Sequence, residues 1–194
     1  MRGRTIVITG VAIAAVAIVS LLAFGLARWY GPRVQQTTVA AARLPPAPPP
    51  PASGRKIKAH LYYVGDDGLT LTSVERDIAL GESTLEQARL LVAAQIAPVA
   101  EPTVSAIPAG TTLRAVFLGE HGEAFVDLSR EVATAHPGGT ISELLTVYTI
   151  VNALTENLPA VTSVQILVDG KEVETLAGHI DLRRPIAKNS EFVQ

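Results

Sequence analysis

Four histidines have the widest chemical range in this chain: His60, His121, His136 and His179. A histidine acts as a general base or metal ligand when a carboxylate, a nucleophile or a second ligand is held beside it. His179-x-Asp181 has the right composition for a metal or a general base, yet no second histidine or carboxylate pair accompanies it at ligand spacing. His60 stands next to Leu61 in a strand-like run and is expected to face solvent or be hydrogen-bonded. His121 sits in a glycine-flanked turn, where exposure is expected, and His136 precedes Pro137-Gly138-Gly139 in a loop. Asp66-Asp67-Gly68 lacks the D-x-D-x-D-G order and the closing glutamate of a calcium loop. Gly138-Gly139 before a helix resembles an anion cradle, but no GK[ST] follows and Glu143 would repel a phosphate. No serine lies in a G-x-S-x-G elbow. Val126-Asp127-Leu128-Ser129 reads as a strand end, with Asp127 and Ser129 expected to tie down the following loop by side chain–backbone hydrogen bonds. The sequence therefore assigns no catalytic, cofactor-binding or metal-binding residue, and no cofactor.

The elements that would carry these residues are legible from periodicity. Thr140-Ile141-Ser142-Glu143 has the T-x-x-E form of a capping box, in which the hydroxyl and the carboxylate each satisfy an orphan N–H. Ile141, Leu144, Leu145, Tyr148 and Val151 then mark one face of a helix, and Pro159 lies just beyond it. Val164, Ile166 and Val168 alternate into a strand, and Asp169-Gly170 predicts a hairpin turn. Upstream, residues 58–64 and 69–78 predict two strands around the Asp66-Asp67-Gly68 turn. Ser83-Thr84-Leu85-Glu86 offers a second capping box, before a helix whose apolar face is Leu85, Ala88, Val92 and Ile96, with Leu91 alongside, closed by Pro98. Residues 111–118 form a third strand, nearly continuously apolar and so expected to be central. Residues 123–129 and 172–177 give a fourth and a sixth strand, and the tail from Gly178 is expected to be irregular. The order hairpin–capped helix occurs twice, with turn glycines Gly68, Gly122 and Gly170 at comparable spacing, a pattern of internal duplication. The expected fold is α+β: a two-layer sandwich of a small, mainly antiparallel sheet with two amphipathic helices.

The helix from Thr140, the run Leu-x-x-Val-x-x-Val and Val168-Asp169-Gly170-Lys171 together resemble the end of a GerMN domain, the sporulation and spore-germination family. Ile107-Pro108-x-Gly110-Thr111, Val126-Asp127-Leu128-Ser129 and His179-x-Asp181-Leu182-x-x-Pro185 extend the resemblance over roughly residues 58–193. The order and spacing of these pieces carry it, since each alone is common. The resemblance implies an assembly or scaffold component of the cell envelope without a known cofactor, acting in sporulation, germination or cell-wall-linked assembly.

Charge divides the chain. Residues 1–55 carry six arginines and no lysine or acidic residue, and residues 56–194 hold 10 basic and 18 acidic residues. An acidic domain argues against a nucleic-acid partner, because phosphate binding needs a cationic surface. Residues 5–27 are uncharged and dominated by Ile, Val, Leu, Ala and Phe. Twenty-three residues at about 1.5 Å each span roughly 35 Å, enough for a bilayer core and longer than the apolar core of a cleaved signal. Arg2 and Arg4 precede this run, and Arg28, Trp29 and Tyr30 follow it, so the charge rule gives almost a tie for orientation. The chain has no cysteine, hence no disulfide and no lipoprotein cysteine of the kind many members of the resembled family carry. The expected organisation is a transmembrane anchor over 1–30, a Pro-rich linker over 31–55, stiffest at 45–51, and a GerMN-like domain over 56–194. The anchor would sit in the inner (cytoplasmic) membrane as a single pass, and the family's envelope role would place the domain on the extracytoplasmic, periplasmic side.

The leading functional expectation is a membrane-anchored, non-enzymatic interaction domain with an envelope protein partner or a second copy of itself. Strand edges at 58–64 or 172–177 are candidate docking sites, unless Lys58, Glu172 and Glu174 block such pairing. One alternative is a module binding a cell-wall polymer (peptidoglycan), for which aromatic residues are scarce at 5% of the chain and Trp29 lies outside the domain. The other is an envelope hydrolase, for which the chain offers no paired carboxylates, nucleophile–base motif or metal set.

Overall fold

The structure is a computed structural model and describes residues 54–194. The expected anchor, and all of the expected linker but its last two residues, lie outside the described residues. Among the described residues no helix is long and apolar enough to cross a membrane.

Two strands open the domain, β1 (Lys56–Val64) and β2 (Leu71–Ala79), paired antiparallel around the turn at Gly68 (φ 68°). Asp67 shapes this turn: its Oδ1 accepts the N–H groups of Leu69 and Thr70 at 2.9 and 3.0 Å and the Thr70 hydroxyl at 2.8 Å. Helix α1 (Thr84–Ile96) follows, and the Ser83 side chain accepts the Glu86 N–H at its start, as expected. The Glu86 carboxylate reaches back one residue further than a capping box requires, to the Glu82 N–H at 2.7 Å. Ala97, held extended before Pro98, ends the helix.

Strands β3 (Leu113–Leu118) and β4 (Glu123–Leu128) form the second hairpin. A short helix, α2 (Glu131–Thr134), and the long α3 (Thr140–Asn157) lead to β5 (Ser163–Val168), which lies parallel to β4. Asp169 (φ 49°) and Gly170 (φ 75°) turn the chain into β6 (Lys171–Glu172). Two positive-φ residues between paired strands are the tight hairpin geometry that Asp-Gly favours. Finally β7 (Ile186–Ala187) pairs antiparallel with the start of β5.

The α+β class and mainly antiparallel pairing are as expected, and the strands divide between two sheets, β1–β2 and β3–β4–β5–β6 with β7 beside β5. α3 packs against β1 and β5, between the sheets. Leu145 and Ala153 meet Tyr62 and Leu71 of the hairpin sheet, and Val147, Ile150, Val151 and Leu154 join the larger core with Val126, Val164 and Ile166. The helix is therefore buried on more than the single stripe its periodicity marks, and Ile141 at its start is 40% exposed.

Four further expectations are corrected. β3 lies at the edge of its sheet, not at its centre, because the α3 crossover returns β5 beside β4. The run at 172–177 pairs only at Lys171–Glu172, since the Leu176 N–H is drawn instead to the Glu143 carboxylate. The tail is not wholly irregular, because β7 rejoins the sheet. The capping box at Thr140 does not form: Gly139 is the cap residue, no side chain caps α3, and Glu143 turns inward.

Candidate functional site

Glu143 is the most deeply placed acid in the domain, at 0% exposure. Its Oε1 accepts the Leu176 N–H at 2.8 Å, and its Oε2 accepts the His179 N–H at 2.9 Å and lies 3.2 Å from His179 Nδ1. Burial pushes this carboxyl up, and the N–H groups of Ala177, His179, Leu176 and Ile180 outweigh burial and hold it below the usual glutamate range. His179 thus has a carboxylate partner after all, one that sequence spacing hid because it comes from a helix 36 residues away. Asp181 does not join it. It accepts the Arg183 guanidinium at 2.7 and 2.9 Å, and with the Arg183 N–H this pulls its carboxyl far below the usual aspartate range. The shallow cavity beside His179, about 200 Å³, is bordered by Glu174, Thr175, Asp181 and Arg183. Glu143 spends its acceptor capacity on backbone N–H groups and one imidazole, so its geometry fastens the 176–180 segment to α3.

The remaining histidines fall where the sequence put them. His60 is an exposed strand residue whose Nδ1 is 3.2 Å from Ser73 Oγ. His121 lies in the β3–β4 turn, its N–H donated to Glu123. His136 lies in the loop before α3, and its ring reaches Thr146 on the helix. Asp127 and Ser129 do make side chain–backbone hydrogen bonds, but to other segments than the following loop. Asp127 accepts the Gly170 N–H at 2.7 Å, and Ser129 accepts the Thr112 N–H at 2.9 Å. Arg114 bridges Asp127 and Asp169, and Arg130 also reaches Asp169. The Val-Asp-Leu-Ser and Val-Asp-Gly-Lys stretches, far apart in sequence, are thus two halves of one joint.

The strand edge proposed for docking at 58–64 is occupied over residues 60–64. Along β1, Gln95 of α1 donates to the Tyr62 carbonyl at 2.7 Å and accepts its N–H at 2.8 Å. Asn157 of α3 does the same for His60, at 2.8 and 2.9 Å. Val64 donates to the Val104 carbonyl at 2.9 Å. Two carboxamides and a loop thereby take the place of a neighbouring strand. The other edge expected from 172–177 is only two residues long. On β3, Val116 is wholly buried where α1 packs against the strand.

A sheet face remains open. Val116, Ala124, Val126 and Ile166 point inward, so Phe117, Phe125 and Gln165, which lie side by side in register, point outward. The segment around Leu182 covers Gln165, whose amide donates to the Leu182 carbonyl. Nothing among the described residues covers Phe117, which is 55% exposed. A groove of about 510 Å³ lies elsewhere, between β2, the end of α1 and the following loop, floored by Leu61, Tyr63 and Ile78 and bordered by Arg76, Asp77 and Glu101.

Comparison with known proteins now bears on this arrangement. The profile of the family described as Germane, sporulation and spore germination, matches residues 60–174. The chain belongs to this family. Among solved structures, the tandem GerMN domains of the sporulation protein GerM from Bacillus subtilis match at 21% identity, with 70% of this chain and 46% of that one covered and a TM-score of 0.51. The first GerMN domain of the same protein matches at 18% identity over 70% of this chain and 99% of that one, also at a TM-score of 0.51. A Clostridium perfringens protein designated a lipoprotein is similar at 23% identity, covering 70% and 89% of the two chains, with a TM-score of 0.49 that leaves it outside the fold argument. No curated protein matches the chain. The Germane fold is thus the scaffold on which the Glu143 contacts to residues 176–180 and the open Phe117 face are built.

Proposed function

We propose that this Germane domain is a non-enzymatic interaction module of the cell envelope, held by residues 5–27 as a single-pass inner-membrane anchor and carried on the 31–55 linker outside the cytoplasm. The observation that carries the interaction reading is Phe117, a large aromatic side chain 55% exposed on a sheet face whose other half the chain covers itself. Phe125 lies beside Phe117 in register, and an apolar patch on an open sheet face is the kind of surface that marks interaction sites. Glu120 and Glu123 at the adjoining turn, and the acidic balance of the domain, favour a protein partner with an apolar contact and a basic rim. Two further features support a binding role over a hydrolytic one: Glu143 is engaged by backbone N–H groups, and Asp181 by Arg183.

Affinity purification of the tagged full-length protein from native membranes after mild crosslinking tests this reading. The control keeps residues 1–55 and replaces the domain with an unrelated soluble one. An envelope protein recovered with the full chain and absent from the control supports it. Retention on isolated cell-wall sacculi without any protein partner would overturn it in favour of polymer binding, with Phe117 and Phe125 as the stacking surface.

A further inference from the structure

The hydrogen bonds that leave the β1–β2 ribbon show which backbone groups face outward. His60, Tyr62 and Val64 turn theirs away from β2, to Asn157, Gln95 and Val104. The residues between them therefore bond to Thr72, Val74, Arg76 and Ile78 across the ribbon. Leu71, Ser73, Glu75, Asp77 and Ala79 are left with N–H and C=O groups on the outer side of β2. The two ends of this edge are taken. Leu71 donates to the Phe192 carbonyl at 2.6 Å and accepts the Gln194 N–H at 2.9 Å, and the Ala79 carbonyl accepts the Gln87 amide at 3.3 Å. Among the described residues nothing bonds to the outer backbone of Ser73, Glu75 or Asp77, and residues 75–77 are exposed.

We propose that the outer edge of β2, from Ser73 to Asp77, is a strand-addition site for an extended basic segment of a partner protein. In this mode main-chain hydrogen bonds give affinity and alternate side chains give specificity. A strand laid along the edge, about 17 Å long, places its side chains alternately on the two faces. On one face they stand beside Glu75 and Asp77. Lys58 pairs with Glu75, and among the described residues no cation pairs with Asp77. On the other face they stand beside Val74 and Arg76, next to the groove of about 510 Å³ that β2 borders through Arg76, Asp77 and Ile78. The segment that fits alternates lysine or arginine with apolar residues.

A second copy of the chain does not fit. Antiparallel pairing of β2 with itself, centred on Glu75 or Arg76, sets acid opposite acid, which is destabilising. Centred on Val74, it brings Asp77 against Leu71, whose outer backbone the 192–194 segment already holds. The charges that block self-pairing thus select a basic strand. This surface is argued without Phe117 and stands whatever Phe117 contacts.

The probe is a fluorescent heptapeptide alternating lysine with valine, titrated into the full-length chain in non-ionic detergent. Binding should be measurable below about 1 mM, and hydrogen exchange should show new protection confined to peptides covering 72–79. The lysines of the probe face Glu75 and Asp77, so their N–H groups point to β2 and those of the valines point away. N-methylation of the lysines should weaken binding about tenfold or more, and N-methylation of the valines should leave it nearly unchanged. Glu75→Pro removes an outward N–H, keeps the bonds to β1 and should weaken binding at least about fivefold. No binding at about 1 mM, equal binding of the two N-methylated peptides, or protection away from 72–79 would overturn the site.

Discussion

Glu143 and His179, 36 residues apart, are joined twice: one carboxylate oxygen accepts the His179 N–H at 2.9 Å and lies 3.2 Å from its Nδ1. The other oxygen holds the Leu176 N–H. A buried carboxylate in this position substitutes for a strand, since it gathers N–H groups that no sheet neighbour would satisfy. Replacing Glu143 with Ala should cost roughly 2–3 kcal/mol in urea unfolding, because it orphans buried backbone donors. The pH dependence has a definite sign. The folded carboxyl is held below its ordinary range, so its contribution is present above the unfolded value of about 4.3 and is lost as pH falls through the folded value. Below about pH 4 the wild type should lose stability more steeply than Glu143→Gln, whose side chain does not titrate.

The β1 edge gives a second prediction. Gln95 is fully buried and its carboxamide answers both backbone groups of Tyr62. Gln95→Leu keeps the volume and loses both hydrogen bonds, leaving a buried N–H and C=O without partners. Urea unfolding should show a loss of about 2–3 kcal/mol. Asn157→Ala strips the equivalent bonds from His60, which is exposed, and water can replace them. Its cost should stay near 1 kcal/mol. Equal costs for the two variants would show that burial does not decide the edge.

Local signals made the fold readable, and long-range partners made the site unreadable. Ser83, Pro98, Pro159 and Asp169-Gly170 act within a few residues of themselves, so the helices and turns they punctuate are where the sequence places them. Glu143 satisfies the capping-box pattern equally well, but its acceptors are worth more to the backbone of residues 176–180, which exists beside it only in the folded chain. The same blindness hid Gln95 and Asn157, polar residues on helices whose role depends on β1 lying alongside. The apolar run of β3 suggested a central strand, although α1, not a second strand, covers Val116. The joint between Asp127 and Gly170 had one sequence signal: two Val-Asp stretches near the ends of β4 and β5, parallel strands in which Val168 lies beside Leu128.

Two glycines with similar backbones should respond differently to alanine. Gly138 and Gly122 have φ of 82° and 89°, where an L side chain is strained. A Cβ at Gly138 meets nothing within 4 Å, so Gly138→Ala should cost about 1 kcal/mol of backbone strain. At Gly122 the Cβ would lie 2.9 Å from Thr162 Oγ1 and 3.1 Å from the Ala160 carbonyl. The Thr162 N–H is bonded to the Gly122 carbonyl at 2.8 Å, so the start of β5 cannot withdraw without breaking that bond. Gly122→Ala should therefore cost at least about 1 kcal/mol more than Gly138→Ala, read as the difference in urea midpoint at unchanged slope.

Phe117 separates stability from recognition. Its ring contributes little to the core, because Val116 and not Phe117 faces α1, and the side chain is 55% exposed. Phe117→Ser should change unfolding free energy by no more than about 0.5 kcal/mol, the usual range for an exposed position. The same variant should lose most of whatever partner the full chain recovers from native membranes, since exposed aromatic anchors carry a large share of binding energy. Glu120→Lys, at the rim, should weaken recovery less and mainly at low salt, as expected of a charge that steers a basic partner. Full recovery with Phe117→Ser at normal abundance would move the interaction surface elsewhere on the domain, and the groove floored by Leu61, Tyr63 and Ile78 would be the next face to alter.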